Sequence, residues 1–348
     1  MSGSDEKSAF RSAEGADFSH YADASVLITG GLGFIGSHLA ATLVDLGAKV
    51  TIVDSLIPEY GGNLYNVREI ADQVRINLSD IRDPWSIRAL VKDQRFIFNL
   101  AGQVSHIDSM ENPEVDLDIN CKAQLSLLEA LREENPDAVV VFAASRQQYG
   151  RPQFVPVTEE HPLTAVDVNG INLIAGEAYH LLYHDVYDIP TVSLRLTNTY
   201  GPHLLMKHDR QGFITSFIRR SLGGETLRVF GDGKQLRDFT YVTDAVDAFL
   251  RAGLTPSTYG RALNVGGIEP ISLLAVAEMC QELAGRGGSV ELVPWPPDRE
   301  RIDIGSIYVD HAALTDGTAW QPKVGLREGL ERTMEFYREY GHRYFPPE

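Results

Sequence analysis

Val26-Leu27-Ile28-Thr29-Gly30-Gly31-Leu32-Gly33-Phe34-Ile35-Gly36-Ser37-His38-Leu39 joins a short apolar run to a glycine-rich turn and then to a segment with helical spacing. The run predicts a buried strand. Gly30, Gly33 and Gly36 stand three apart. In a dinucleotide site the first permits a sharp turn, the second lets a pyrophosphate approach the backbone, and the third lets helix and sheet pack closely. Leu39 and Leu43 continue the helical spacing and Gly47 supplies a stop. The amino terminus of that helix offers unpaired N–H groups to phosphate.

The 348 residues are 43% hydrophobic, enough to bury a sizeable core. A net charge of −17 without a basic cluster argues against nucleic acid or an anionic membrane as partner, so any phosphate must be bound locally. Cys121 and Cys280 are the only cysteines, which indicates no disulfide framework and makes a reducing cytoplasm the simplest compartment. No metal site is expected. Residues 1–22 are polar and small, without the apolar core of a signal peptide, and are expected to form a flexible tail.

Downstream, Lys49-Val50-Thr51-Ile52-Val53-Asp54 predicts a second strand, with Asp54 placed 24 residues after Gly30 to take the adenosine ribose hydroxyls. An acid there favours NAD over NADP, whose 2′-phosphate it repels. Further strands are predicted at Val74–Asn77, Phe96–Leu100, Ala138–Ala143 and Thr191–Leu196. Helices alternate with them, one begun by Asp83-Pro84 and one by Asn112-Pro113, the latter with Leu117, Cys121, Leu125, Leu128 and Leu131 on one apolar face. The first two hundred residues therefore predict a doubly wound parallel sheet. Beyond Gly201-Pro202 the elements shorten into a smaller lobe that ends in an amphipathic helix from about Leu326.

Together these landmarks resemble the extended short-chain dehydrogenase/reductase family, which includes nucleotide-sugar epimerases, dehydratases and decarboxylases. The resemblance runs from about Ser25 to Tyr340. Its pieces are Thr29–Gly36, Asp80-Ile81-Arg82-Asp83, Asn99-Leu100-Ala101-Gly102-Gln103-Val104, Asn120 with Leu127-Leu128-Glu129-Ala130, Arg195–Pro202, Gly231–Phe239 and Ile302-Asp303-Ile304-Gly305. It implies an NAD-binding Rossmann domain over 23–200, to which 241–265 return, and a mainly substrate-binding α/β lobe over 201–348. Phe34 and Ile35 beside the glycines, Asp80 and Ile81 at the adenine, Leu100, Ala101 and Gly102, and Asn120 are implied to hold the cofactor. Gln103, Asn198, Arg237 and Arg301 are implied to meet the substrate, the middle two at its nucleoside diphosphate. A homodimer through the helices near 113–133 and 171–187 is expected by analogy.

Ser145 precedes Tyr149-Gly150 at the family's spacing and so inherits the hold on the sugar hydroxyl. Dehydratases of the family follow this residue with Asp-Glu, whereas Arg146-Gln147 stand here and cannot serve as a carboxyl acid or base. The family's Tyr and Lys, four residues apart, are also missing. Alignment on Ala175-Gly176-Glu177 puts Asn169 and Leu173 at their places, and none of the 14 tyrosines has a lysine four residues later. Asn169 can hold an oxygen but exchanges no proton near neutrality. Tyr149, His203, Asp167 and His106 are the candidate replacements. The implied activity is NAD-dependent epimerisation of a nucleotide sugar by transient oxidation. The alternatives are an NAD- and nucleotide-binding protein without redox turnover, or another nucleotide-sugar reaction such as decarboxylation or elimination.

Overall fold

β-Branched and aromatic runs bounded by glycine, proline or aspartate form the strands, and those buried on both faces read as unbroken apolar segments. The computed structural model describes residues 17–207, 212–296 and 300–345. Its strands are β1 (Ser25–Thr29), β2 (Lys49–Val53), β3 (Arg75–Asn77), β4 (Phe96–Asn99), β5 (Val139–Ser145), β6 (Thr191–Leu196), β7 (Asn198–Tyr200), β8 (Leu227–Phe230), β9 (Leu236–Arg237), β10 (Phe239–Tyr241), β11 (Arg261–Val265), β12 (Ile271–Ser272) and β13 (Val290–Val293). Seven of them make one parallel sheet in the order β11-β6-β5-β4-β1-β2-β3. Strand order reverses between β1 and β4. The carboxyl ends part there into a crevice, the place where open α/β sheets bind ligands.

Helices Phe34–Asp45 and Val242–Leu254 supply the core on one face of the sheet, while Pro84–Leu90 and Ala123–Glu134 supply it on the other. The chain thus leaves the sheet after β6 and returns with Val242–Leu254 and edge strand β11. Between and after these crossings, helices Phe213–Leu222, Leu273–Ala284 and Leu326–Tyr340 close around a second core with β8 and β13.

Two local expectations change. Residues 1–16 lie outside the described residues, but the segment expected to continue them as a tail is anchored: Phe18–Tyr21 forms a helical turn, and the fully buried Tyr21 donates to the Leu250 carbonyl at 2.8 Å. The helix after Asn112-Pro113 is also interrupted, since Asp118–Lys122 forms a π-turn between Pro113–Leu117 and Ala123–Glu134. Its extra residue rotates the buried stripe, so Ile119, Asn120, Ala123 and Gln124 point inward where Leu117, Cys121 and Leu125 are only half-buried. Such turns widen a helix locally and tend to occur at functional sites.

Asp244 ties the returning helix to the final lobe by accepting the Lys323 and Val324 amides, each at 3.0 Å. Burial pushes its carboxyl up to about 6, with the two amides pulling the other way. The folded chain therefore keeps a proton that the unfolded chain, titrating near ~4, has already released. This contribution favours folding at low pH and is lost as pH rises through about 6. Asp244→Asn should gain stability over the parent between pH 4 and pH 7, by up to about 3 kcal/mol. Urea denaturation across that range checks it, and a difference independent of pH contradicts it.

Candidate active site

The turn after β1 is shaped by what glycine omits. Gly30 has φ +69°, and a Cβ on Gly36 would come within 2.3 Å of the Gly30 carbonyl oxygen, so the first turn of the helix packs directly on the loop. Gly33 is the extended N-cap of helix Phe34–Asp45 and makes no side-chain cap, which leaves the first helical N–H groups facing open space. That space is a cavity of about 370 Å³. Gly30, Gly33, Phe34, Ile35, Gly36, Asp54, Asp80, Ile81, Leu100, Ala101, Gly102 and Asn120, the residues implied to hold the cofactor, all lie on its wall.

Asp54 is fixed by the Leu32 amide on Oδ2 at 3.0 Å and the Leu56 amide on Oδ1 at 2.9 Å. Asp80 is held by Arg82 through Nε–Oδ1 at 2.9 Å and Nη2–Oδ2 at 2.6 Å. Thr29 Oγ1 accepts the Ala101 amide at 3.0 Å and donates to Asn99, pinning the floor under Leu100–Gly102 to the end of β1. The cradle fits a dinucleotide: it has a bare helix terminus, no Cβ between the strand and the approaching phosphate, and an acid at the end of β2.

At the far end β5 delivers Ser145 to the wall. Its Oγ accepts the Gln147 amide at 3.3 Å while the Gln148 side chain accepts the Ser145 amide at 3.2 Å, a capping box on the turn Arg146–Tyr149. Capping uses the oxygen as an acceptor and leaves the hydroxyl proton to donate into the cavity. Beside it Gln147 Nε2 lies 2.7 Å from His106 Nε2, and His106 Nδ1 bonds the Asp167 carboxylate. His106, Gln147 and Arg146 are on the wall and Asp167 stands behind them. Burial opposes the Asp167 charge, but the bonds from His106 and from the Gly170 amide outweigh it and hold the carboxyl below its usual range.

Other expected residues are placed differently. Tyr149 is fully buried and off the cavity wall; its hydroxyl donates to Asn264 Oδ1 at 2.7 Å and accepts from Arg195 Nη1 at 2.8 Å. Burial pushes that phenol up to about 12, so its role is structural. Asn169 is also buried behind the wall, its amide shared among the Gln103 carbonyl at 2.7 Å, Gln103 Oε1 at 3.2 Å and Asp116 Oδ2 at 2.9 Å. Leu173 does reach the wall. The two positions read as Tyr and Lys counterparts thus part company, one buttressing and one lining. Gln103 borders the cavity, but its side chain folds back on Ser105 and is not free for substrate.

Asn198 is on the wall, receiving Arg146 Nη2 at 3.0 Å and donating to the Asp238 carbonyl at 2.9 Å. Arg237 lies off the wall, its Nη1 donating to the carbonyls of Leu236 and Gly305. Burial, reinforced by Arg146, pushes it down to about 9. Arg301 is exposed and contributes its backbone carbonyl to Arg151. His203 lines the glycine-turn end instead, stacked on His38 with ring centres 4.5 Å apart, and burial holds it neutral well below 6.5. Arg146, also on the wall, was visible in the sequence only as the absence of an acid.

A doubly wound sheet whose switch point carries a glycine cradle, a ribose-side acid and a polar reaction end defines a dinucleotide-dependent enzyme fold of the Rossmann type. Residues 26–266 match the NAD dependent epimerase/dehydratase family, and the chain belongs to it. It is 32% identical over 315 residues to the UDP-glucose 4-epimerase of Mycolicibacterium smegmatis, covering 90% of this chain and 98% of that one. An epimerase structure from Methanothermobacter thermautotrophicus superposes with TM-score 0.87 at 26% identity, over 93% of this chain and 95% of that one. The structure of a UDP-glucose 4-epimerase with UDP-glucose from Thermotoga maritima gives 0.83 at 27% identity, over 90% and 99%. The cofactor is NAD, and the cradle described above has the shape and polarity to take it.

Tyr149→Phe should cost about 1–3 kcal/mol of stability, because Asn264 and Arg195 lose a buried partner. NAD affinity should not change. Chemical denaturation and a NAD titration check both parts, and loss of cofactor binding in a folded variant contradicts the structural role.

Proposed function

We propose that this chain is a nucleotide-sugar epimerase working by transient oxidation and re-reduction of a sugar carbon. The observation that carries this reading is a single cavity with the dinucleotide cradle at one end and Ser145 and the Asp167–His106 pair at the other. Bound NAD supplies the acceptor and donor of hydride, held by Gly30–Gly36, Asp54, Asp80 and Leu100–Gly102. Oxidising a carbinol also releases the hydroxyl proton, and the chain must take it up and return it.

Ser145 Oγ–H holds the reacting oxygen. His106 is the proton carrier: Asp167 takes the Nδ1–H, which fixes the tautomer and leaves Nε2 as the basic atom. Gln147 aligns that nitrogen at the cavity wall and yields its place to the substrate hydroxyl. When the imidazole takes the proton, Asp167 stabilises the cation; when the carbonyl is reduced from its other face, the same nitrogen returns the proton. This is the logic of an orienting carboxylate on a catalytic histidine. In this reading Asn198, on the cavity wall, is assigned to the diphosphate, and lobe residues 201–348 outside the returning segment to the substrate side.

Incubation with UDP-, GDP-, CDP- and dTDP-sugars, with product stereochemistry read by NMR, should reveal one interconverted epimer pair. His106→Gln and Asp167→Asn should each lower kcat by about a hundredfold or more with NAD affinity retained. Ser145→Ala should depress turnover with NAD binding intact. Bound NAD without epimer exchange in any sugar overturns the proposal, and near-normal kcat in His106→Gln removes His106 from the mechanism.

We also propose a homodimer acting in the reducing cytoplasm. Helix Val168–Tyr187 exposes Ile171, Leu182 and Val186 along one stripe, each at least half exposed. An apolar stripe of this kind marks a contact surface. Leu182→Glu should halve the mass measured by light scattering, and a parent that is itself a monomer overturns the dimer.

A further inference from the structure

Arg146 is the first residue of the turn that Ser145 caps, on the wall of the cavity. Its Nη2 is spent on the neutral Asn198 amide at 3.0 Å, while its Nη1 is buried without a hydrogen-bond partner. A guanidinium stripped of water is costly unless an anion meets it. None does so: among the described residues Arg146 makes no ion pair within 4.0 Å.

Asp238 and Asp167 reach it with their fields, but neither hydrogen-bonds it, and Asp238 Oδ1 is itself left without a partner. Asp167 binds His106 and the Gly170 amide. Asp238 turns Oδ2 to the amides of Gly267 and Val309, both at 3.4 Å, and burial pushes its carboxyl up to about 6, which weakens it as a counter-ion. Arg237 lies close enough for the two cations to disfavour one another, and its Nε also lacks a partner. Acids and cations thus lie near one another behind the reaction end of the cavity, but Arg146, on its wall, is left with an Nη1 that no anion hydrogen-bonds.

We propose that Arg146 is the specificity residue for an acidic sugar, its Nη1 receiving the carboxylate of a hexuronate-type substrate. The proposal rests on the nucleotide-sugar reading above and adds the substrate class. Adjacency to Ser145, which holds the reacting hydroxyl in that reading, puts the backbone of Arg146 at the sugar end of the site. An anionic oxygen on Nη1 completes a charge-assisted hydrogen bond that a neutral hexose hydroxyl makes less strongly. The other anion within chemical reach is the diphosphate of the same ligand, and the two sources are separable by experiment.

The NAD-loaded parent, Arg146→Met and Arg146→Lys are each titrated with UDP, UDP-glucose and UDP-glucuronate by calorimetry. NAD binding and thermal unfolding confirm that the variants fold. The parent should bind UDP-glucuronate about tenfold or more tightly than UDP-glucose, a ratio expected from one hydrogen bond to a charged group. Arg146→Met should bring the ratio near one, and Arg146→Lys should retain part of it. The proposal is overturned by a parent without preference for the acid, or by a preference that survives in Arg146→Met. It is also overturned if all three ligands weaken equally at an unchanged ratio, which would assign Arg146 to the diphosphate. Failure of the parent to bind any of the three, with NAD still bound, overturns the substrate class and with it the uridine form of the nucleotide-sugar reading.

Discussion

The cavity depends on a knot of side-chain amides, gathered on the Asp116 carboxyl and the Gln103 backbone, behind its wall. Asn169 shares its amide protons with the Gln103 carbonyl, Gln103 Oε1 and Asp116, while Asn120 closes a two-way pair with the backbone of Gln103. These groups are buried, so each unmade bond would carry the desolvation cost of a lost partner. The knot fixes segment Leu100–Gln103 against the π-turn and the amino end of helix Val168–Tyr187. It joins the floor under the dinucleotide to the helix that orients Asp167.

The knot also occupies one of the two positions at which a Tyr and Lys pair is expected. Such a pair depends on a cation lowering the phenol's pKa and therefore places charge at the nicotinamide end. Here Asn169 is turned into the protein and Leu173 offers a hydrocarbon surface, so no ammonium is needed at that point. In the proposed mechanism proton transfer falls to His106, bonded to Asp167 two residues before Asn169, and a cation stands at Arg146 beside Ser145. His106 links Gln147 to Asp167, so the stretch Ser145–Gln147 and the helix start at Asp167 come together only in the folded chain.

Much of the fold was legible because parallel strands buried on both faces leave apolar runs: β4 and β6 lie within their expected spans, and the glycine turn named its own helix. The cofactor half of the site was legible for the same reason, since Gly30–Gly36, Asp54 and Leu100–Gly102 each sit at the end of a predictable strand. The reaction end was legible only in part: Ser145, His106 and Asp167 were named from the sequence, but among several candidates that the fold disposes of differently. Tyr149 stands four residues from Ser145, but the turn between them sends its ring into the pocket formed by Val157, Ile307 and Val309. Arg237 likewise folds onto the Gly305 carbonyl, a partner 68 residues away whose approach no local pattern announces.

By itself the sequence determined the parallel sheet, the switch-point crevice and the dinucleotide cradle, because strand periodicity and the glycine requirement are local properties of a few adjacent residues. It also determined that no phenol–ammonium pair of the usual spacing exists. Only the tertiary structure decided which polar side chains keep free hydrogen-bonding capacity at the cavity. That depends on partners from distant segments: Asn264 occupies Tyr149, Gln103 occupies Asn169, and Arg146 is left with a bare Nη1. A side chain's chemistry is set by which of its bonds are already made, and those bonds form across the fold.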